Sequence, residues 1–359
     1  MKNNYNVSTK RAERVLIMTT QRSQTTDEVF ITGIAGFLGS HLADAFLEEG
    51  YDVAGNDTFV GGYESNIPAE AEFHEVDCKD VDGMKEAMEG ADIVYHTAAL
   101  AYEGLSVFAP ARINQSIYQA TSATIAAAAD VGIDRFVYCS SMSRYGENET
   151  PFTEDMEPQP QDPYAISKVA AEEMVELMAE VHNFEYVIAV PHNIIGPRQR
   201  YDDPFRNVAA IFINRMLQGK QPIIYGDGEQ KRCFTFIQEN VRPLQKLAHY
   251  DNVTGEVINI GPDDEFITIN HLAETIADII DFDLDPIYKP DRPQEVKLAN
   301  CSADKARELL DYEVEYTLRD GLREMINWIE EQEPKEFEYH LECEIVNEQT
   351  PETWTNELI

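Results

Sequence analysis

A chain of 359 residues with 43% hydrophobic side chains can bury one large α/β domain and a smaller second lobe. Its 66 acidic residues against 28 Lys plus Arg give a formal net charge of −38, the wrong sign for binding nucleic acid. No apolar run is long enough to span a bilayer and the first residues carry no secretory core, so a cytoplasmic protein that does not enter a membrane is expected.

The acids are spread along the chain rather than gathered in a tail. They read as the solvated surface of a halophilic protein, whose self-repulsion strong salt screens. The five cysteines, at 78, 139, 233, 301 and 343, form no CxxC pair, which points to a reducing compartment and against a disulfide frame or zinc site. The eight histidines have no metal-binding spacing, so no metal is expected.

Residues 1–27 are polar and aperiodic and read as an extension outside the fold. A doubly wound parallel sheet of Rossmann type is expected over 28–190. There Val29–Thr32 is a short apolar strand, Phe37–Glu49 an amphipathic helix, and Tyr51–Asn56, Asp92–Tyr95 and Arg135–Cys139 are further strands. Long helices are predicted over 109–131 and 163–182. From Pro191 to about 330 the elements shorten and turn dipeptides multiply, as in a substrate-binding lobe, some segments of which return to the first domain. Residues 331–359 form an acidic tail.

The first strand runs into Gly33-Ile-Ala-Gly36-Phe-Leu-Gly39 and then a helix. Gly33 permits a sharp turn, Gly36 lets a pyrophosphate approach the backbone, and Gly39 lets helix and strand pack closely. Phe37, Leu38 and Gly39 open the helix, whose free N–H groups and dipole favour phosphate. Asp57 follows the second strand, 24 residues after Gly33, where a carboxylate accepts hydrogen bonds from the adenosine ribose. An acid there favours NAD over NADP, whose 2′-phosphate it would repel.

Tyr164 and Lys168 lie four apart on a predicted helix and share a face. A neighbouring ammonium is expected to lower the phenol's pKa, so that Tyr164 can take a proton from a sugar hydroxyl as hydride leaves carbon. Ser141 follows a strand at the carboxyl edge of the sheet, where its hydroxyl can bond the substrate oxygen. Alone, a Tyr-x-x-x-Lys pair is common on helices. Its weight comes from the glycine turn and the serine strand that precede it.

With these motifs in this order, the chain resembles the extended short-chain dehydrogenase/reductases that act as nucleotide-sugar epimerases and dehydratases, over roughly residues 28–330. The likeness also rests on Val76-Asp77-Cys78, His96-Thr-Ala-Ala99, Ser140-Ser-Met-Ser-Arg-Tyr-Gly146, Pro191-His-Asn-Ile-Ile-Gly-Pro-Arg198, Tyr225-Gly-Asp-Gly and Arg292-Pro-x-Glu295. It implies that Asp77 and Cys78 hold the adenine and that Thr97, Ala98 and Pro191 line the cofactor. It further implies that Asn193, Asn207 and Val208 meet the substrate's phosphates, that Ile223 and Tyr225 flank the base, and that Arg232 and Arg292 pair with the diphosphate. Three places depart from the family: Cys233 stands where an Asp is usual, Ile117 where an Asn is usual, and Ala101–Pro110 fits poorly.

Dehydratases of this family carry an Asp-Glu pair after the catalytic hydroxyl residue, where this chain has Met142 and Ser143. The resemblance therefore implies NAD-dependent epimerisation at C4 of a UDP-hexose through a transient 4-keto sugar. A dehydratase, decarboxylase or reductase is the alternative, and a non-catalytic dinucleotide sensor the remoter one. Family dimers pair the two long helices, so a homodimer is expected.

Overall fold

The computed structural model describes residues 27–359, so the polar extension expected over 1–27 lies outside the described residues except for Asp27. The chain opens with β1 (Glu28–Thr32), α1 (Phe37–Glu48), β2 (Asp52–Asn56), β3 (Glu72–His74), α2 (Val81–Ala87) and β4 (Ile93–His96). Two short helices, α3 (Glu103–Ser106) and α4 (Pro110–Asn114), lead through a π-turn (Gln115–Gln119) into α5 (Ala120–Val131). Then come β5 (Arg135–Cys139), α6 (Pro163–His182) and β6 (Glu185–Pro191). The remainder is β7 (Ile194–Ile195), α7 (Val208–Leu217), β8 (Ile223–Tyr225), β9 (Lys231–Cys233), β10 (Thr235–Phe236), α8 (Ile237–Lys246), β11 (Val257–Ile260), β12 (Phe266–Thr268), α9 (Ile269–Ile280), β13 (Ile287–Lys289), β14 (Leu298–Ala299), α10 (Asp304–Leu310), α11 (Leu318–Glu331) and α12 (Glu352–Thr355).

Seven strands form one sheet in the order β11-β6-β5-β4-β1-β2-β3, and every pairing in it is parallel. The sequence explains this layering. Val29, Phe30 and Ile31 are all fully buried, the continuous apolar run of a strand covered on both faces. Val29 and Ile31 pack with Leu42 and Phe46 of α1. Phe30 faces the other way, towards Val94, Ile125 and Phe136. The order of strands reverses between β1 and β4, so a crevice opens there at the carboxyl edge.

The expected helix over 109–131 is interrupted. The hydroxyls of Ser116, Thr121 and Ser122 donate to the carbonyls of Ile113, Ile117 and Tyr118 at 3.0, 2.7 and 2.7 Å. Side chains that compete for helical carbonyls in this way favour a local π-turn. The helix expected over 163–182 is continuous. Asp162 caps it by accepting from the Ala165 N–H at 2.9 Å, Pro163 begins it, and Asn183 ends it in a left-handed conformation.

Later segments pack in two places. Ile237, Leu244, Ile258, Ala306 and Leu310 join the core on the α1 side of the sheet. α7, α9 and α11 form a separate core around Phe212, Leu272, Leu322 and Ile326. Residues beyond α11 run back over the molecule. Phe337, Tyr339, Leu341, Trp354 and Ile359 pack on Tyr102, Leu105, Phe108, Ile113 and Ile117. That contact gives a physical reason for one departure from the family pattern: the stretch Ala101–Pro110 is the apolar seat for this segment, and Ile117 belongs to the same apolar cluster. Among the described residues, no helix is long and apolar enough to cross a membrane.

Candidate active site

Five of the strands deliver functional residues at their carboxyl ends: Gly33 follows β1, Asp57 follows β2, Thr97 follows β4, Ser141 follows β5 after one residue, and Pro191 closes β6. All of them border one cavity of about 560 Å³. The other candidates singled out in the sequence border it too: Gly36, Phe37, Leu38, Gly39, Asp77, Cys78, Ala98, Tyr164, Lys168, Asn193, Asn207, Val208, Ile223, Tyr225, Arg232 and Arg292.

At one end lies the glycine turn, whose tight backbone and open helix N-terminus suit a diphosphate. A Cβ on Gly39 would sit 2.2 Å from the Gly33 carbonyl oxygen, and one on Gly36 3.0 Å from the same atom, so the turn has no room for side chains. α1 has no side-chain cap at Gly36. Its first N–H groups have no acceptor within the helix and face the cavity. Asp57 accepts from the N–H groups of Ala35, Thr58 and Phe59 at 3.1, 2.8 and 2.7 Å, which fixes the carboxylate beside the glycine turn. The Asn56 amide reaches the Cys78 sulfur at 3.3 Å. Thr97 donates to the Thr32 carbonyl at 2.6 Å, and the Ala98 N–H donates to the Thr32 hydroxyl at 3.1 Å, holding the loop after β4 against β1. His96 behind them is buried between Thr32 and Thr121, and burial lowers it to about 3, so it stays neutral.

Ser141, Tyr164 and Lys168 meet in the middle of the cavity. Ser141 caps a short turn, accepting from the Ser143 N–H at 3.2 Å and the Ser143 hydroxyl at 3.0 Å. The Lys168 ammonium donates to the Cys139 carbonyl at 2.7 Å and stands 6.0 Å from the centre of the Tyr164 ring. Burial lowers Lys168 to about 8. The phenol of Tyr164 departs from the sequence expectation. Burial pushes it above its ordinary value, and Glu103 and Asp162 push the same way. A hydrogen bond with Ser141 and the charge of Arg206 pull it down by less. The Lys168 ammonium gives one of its N–H groups to β5 and is not among the groups that pull this phenol down.

The far end is cationic. Arg232 donates to the carbonyls of Val296, Lys231 and Lys297 at 2.6, 2.9 and 3.4 Å. Backbone therefore orients this guanidinium, while neighbouring Cys233 is buried and donates to the Pro262 carbonyl at 2.9 Å. Arg292 pairs with Glu295 at 3.2 Å and lies 4.8 Å over the Tyr225 ring. Asn193 donates to the Cys233 carbonyl at 2.9 Å, and Asn207 caps α7 by accepting from the Ala209 N–H at 2.9 Å. Val208, the first residue of α7, adds a helix N-terminus to this end.

Residues 29–261 match the NAD dependent epimerase/dehydratase family. The chain belongs to that family. Its fold superposes on the UDP-glucose 4-epimerase of Thermotoga maritima, solved with UDP-glucose, with a TM-score of 0.81 at 31% identity, covering 85% of this chain and 99% of that one. The UDP-glucuronic acid 4-epimerase of Bacillus cereus, solved with UDP-glucuronic acid and NAD, gives 0.79 at 29% identity, covering 85% and 100%. The UDP-N-acetyl-alpha-D-glucosaminuronate decarboxylase of Bacillus cytotoxicus is 29% identical over 316 residues, 84% of this chain and 97% of that protein.

As a member of this family the protein is an NAD-dependent enzyme of the nucleotide-sugar epimerase type. The glycine cradle, the uncapped helix and the fixed Asp57 carboxylate fit that dinucleotide. The structure also brings into the cavity residues that sequence reasoning missed: Glu103, Asp162, Arg206 and Ile359. Glu103 lies within the stretch that fitted the family poorly. The sequence signal for Asp162 was its place before Pro163, a helix-cap pattern. Ile359 gave none, since only tertiary contact brings it to the site.

Proposed function

We propose that this enzyme interconverts a UDP-hexose and its 4-epimer through a transient 4-keto sugar. The observation that carries the reading is the turn after β5. Ser141 is followed by Met142 and by Ser143, whose hydroxyl donates back to Ser141 at 3.0 Å, so this turn brings no carboxylic acid to the sugar. Elimination of water needs an acid and a base beside the carbons that lose hydroxyl and proton. Without them on this turn, the simplest fate of a keto sugar is reduction on its other face.

In this reading Tyr164 accepts the proton of the sugar 4-hydroxyl and later returns it, while Ser141 hydrogen-bonds the same oxygen. NAD, when bound, supplies the hydride acceptor for the first half and the donor for the second. Burial holds Tyr164 protonated in the protein alone, so a cation on the substrate side is needed to make it a base near neutral pH. Lys168 keeps α6 in register with β5. Arg232 and Arg292 hold the diphosphate, and Ile223 and Tyr225 the base, while the sugar turns over between them. The relatives solved with UDP-glucose and UDP-glucuronic acid support a UDP-linked substrate.

The active form in this reading is a cytoplasmic homodimer joined through α5 and α6. The outer face of α6 carries Ile166, Leu177 and Val181, which are 54, 58 and 64% exposed. Sedimentation of the wild type and of Leu177→Asp/Val181→Asp tests this; an unchanged mass would remove the dimer from the proposal.

The deciding experiment is proton NMR with UDP-glucose, UDP-N-acetylglucosamine or UDP-glucuronate in molar KCl without added cofactor. The 4-epimer of one of them, reached at the same ratio from both directions, is the expected result. A dehydrated or decarboxylated product, or stoichiometric release of reduced dinucleotide, would overturn it.

A further inference from the structure

Helix α3 spans the cavity between its two chemical ends. At one side Gly104 lies against Arg292, so that a Cβ there would come within 3.1 Å of the guanidinium Nη1. At the other, Ser106 donates to Asp162 at 3.2 Å, and Asp162 caps the helix that carries Tyr164. Glu103 begins this helix and borders the cavity. A nucleotide sugar whose C4 sits at Ser141 and Tyr164 and whose diphosphate sits at Arg232 and Arg292 must place its hexose ring between these ends. Glu103 lies within electrostatic reach of both ends, since its charge acts on Tyr164 and those of Arg232 and Arg292 act on it.

Its side chain is open to the cavity yet lies deep below the outer surface. Among the described residues, no group hydrogen-bonds its carboxylate, which is therefore free to accept from a ligand. Arg206, which also borders the cavity, faces Asp203 at 3.6 Å, donates to the Gly61 carbonyl at 3.2 Å and lies over the Tyr102 ring. Relatives differ in whether the hexose carries a carboxylate, since the Bacillus cereus epimerase was solved with UDP-glucuronic acid and the Thermotoga maritima epimerase with UDP-glucose.

We propose that Glu103 is a specificity residue of the hexose subsite, accepting hydrogen bonds from the hydroxyls of a neutral UDP-hexose and excluding UDP-hexuronates by like charge. The inference rests on the epimerase reading above. A carboxylate facing a second carboxylate in a cavity of low dielectric discriminates by repulsion as well as by the hydrogen bonds it gives the right partner.

Burial, with Asp162 adding its charge, raises Glu103 to about 7, while Arg232 and Arg292 oppose this and Glu295 reinforces it. Tyr164 and Arg206 share the same cavity. Discrimination is therefore strongest above that pH and fades below it, as the carboxyl takes up a proton and loses its charge.

The test is calorimetric binding of UDP-glucose and of UDP-glucuronate to the dinucleotide-loaded enzyme, for wild type, Glu103→Gln and Glu103→Ala at pH 6 and 8.5, alongside turnover of UDP-glucose. The wild type is expected to prefer UDP-glucose. Glu103→Gln is expected to shift the affinity ratio towards UDP-glucuronate by about tenfold or more at pH 8.5, and by much less at pH 6. An affinity ratio unchanged in both variants would overturn the assignment of Glu103, whatever the turnover. Binding that behaves as expected, with no 4-epimer formed, would instead sink the epimerase reading and leave Glu103 as a binding residue.

Discussion

Lys168 of α6 donates its ammonium to the carbonyl of Cys139, the last residue of β5, across 29 residues of sequence at 2.7 Å. One side chain thus joins the helix that bears Tyr164 to the strand that leads to Ser141. Lys168→Met removes both the charge and the tie, and is expected to lower kcat by about 10²- to 10⁴-fold. Tyr164→Phe should lose activity to a similar extent while still retaining the dinucleotide, because it removes only a hydroxyl. Lysine is lowered here from 10.5 to about 8, so its charge is present below that pH and lost above it. Wild-type kcat should therefore decline on the alkaline side near pH 8. A rate that stayed flat to pH 10 would show that the charge of Lys168 is not used and would leave only its tie to Cys139.

The cradle gives a second expectation. In Gly39→Ala the new methyl would meet backbone, the Gly33 carbonyl at 2.2 Å, which cannot swing aside as a side chain could. The purified variant should come away without bound dinucleotide, read from the absorbance of the acid-released cofactor. Wild-type loading in this variant would mean that the turn does not hold the phosphates.

Trp354 tests the segment beyond α11. It is buried edge-on against Phe205 and Phe108, with ring centres 5.3 and 5.9 Å away. Trp354→Ala should cost about 3–5 kcal/mol in urea unfolding. Next to it, Thr353 hydrogen-bonds the Tyr225 hydroxyl on the cavity wall. The same variant should therefore raise KM for the nucleotide sugar more than it lowers kcat. Trp354→Phe should cost less, since the indole N–H has no hydrogen-bond partner to lose.

Acid stability should report His96. Its folded value is about 3 against an ordinary 6.5, because burial disfavours the cation. Below 6.5 the unfolded chain binds the proton that the native chain refuses. Stability from this group is thus complete above 6.5 and is lost as pH falls towards 3, at up to about 1.4 kcal/mol per unit. Partly buried carboxyls such as Asp57, raised from their ordinary value, act in the opposite sense. The difference between wild type and His96→Asn in molar KCl isolates the histidine. Parallel pH profiles for the two would refute this account.

The sheet was readable because its strands are continuous apolar runs and its glycine turn has one steric solution. Tyr164, Lys168 and Ser141 were readable as a set because the glycine turn and the serine strand precede the Tyr-x-x-x-Lys helix in the chain. What Lys168 binds was not readable, since the Cys139 carbonyl is a backbone atom brought close by packing. For the same reason the pull of Lys168 on Tyr164 was overestimated against burial. The break in the helix over 109–131 lay in Ser116, Thr121 and Ser122, whose back-bonding to helical carbonyls depends on side-chain rotamers that a sequence does not show. Ile359 reaches the cavity only because the segment beyond α11 folds back on the stretch around Tyr102 and Phe108, a contact between residues more than 200 positions apart that has no periodic signature.

The same fold-back bears on how the enzyme is made. Apart from residues of the later lobe, the dinucleotide cradle draws on positions from Gly33 to Pro191, whereas the wall around the sugar nucleotide includes Ile359. On a ribosome, which releases the chain from its first residue onward, the parts that recognise the cofactor are synthesised well before the parts that recognise the substrate. The core beneath the cofactor turn takes in Ile258 and Leu310, so that side of the site is also finished late, and the sugar side is closed last, by Ile359.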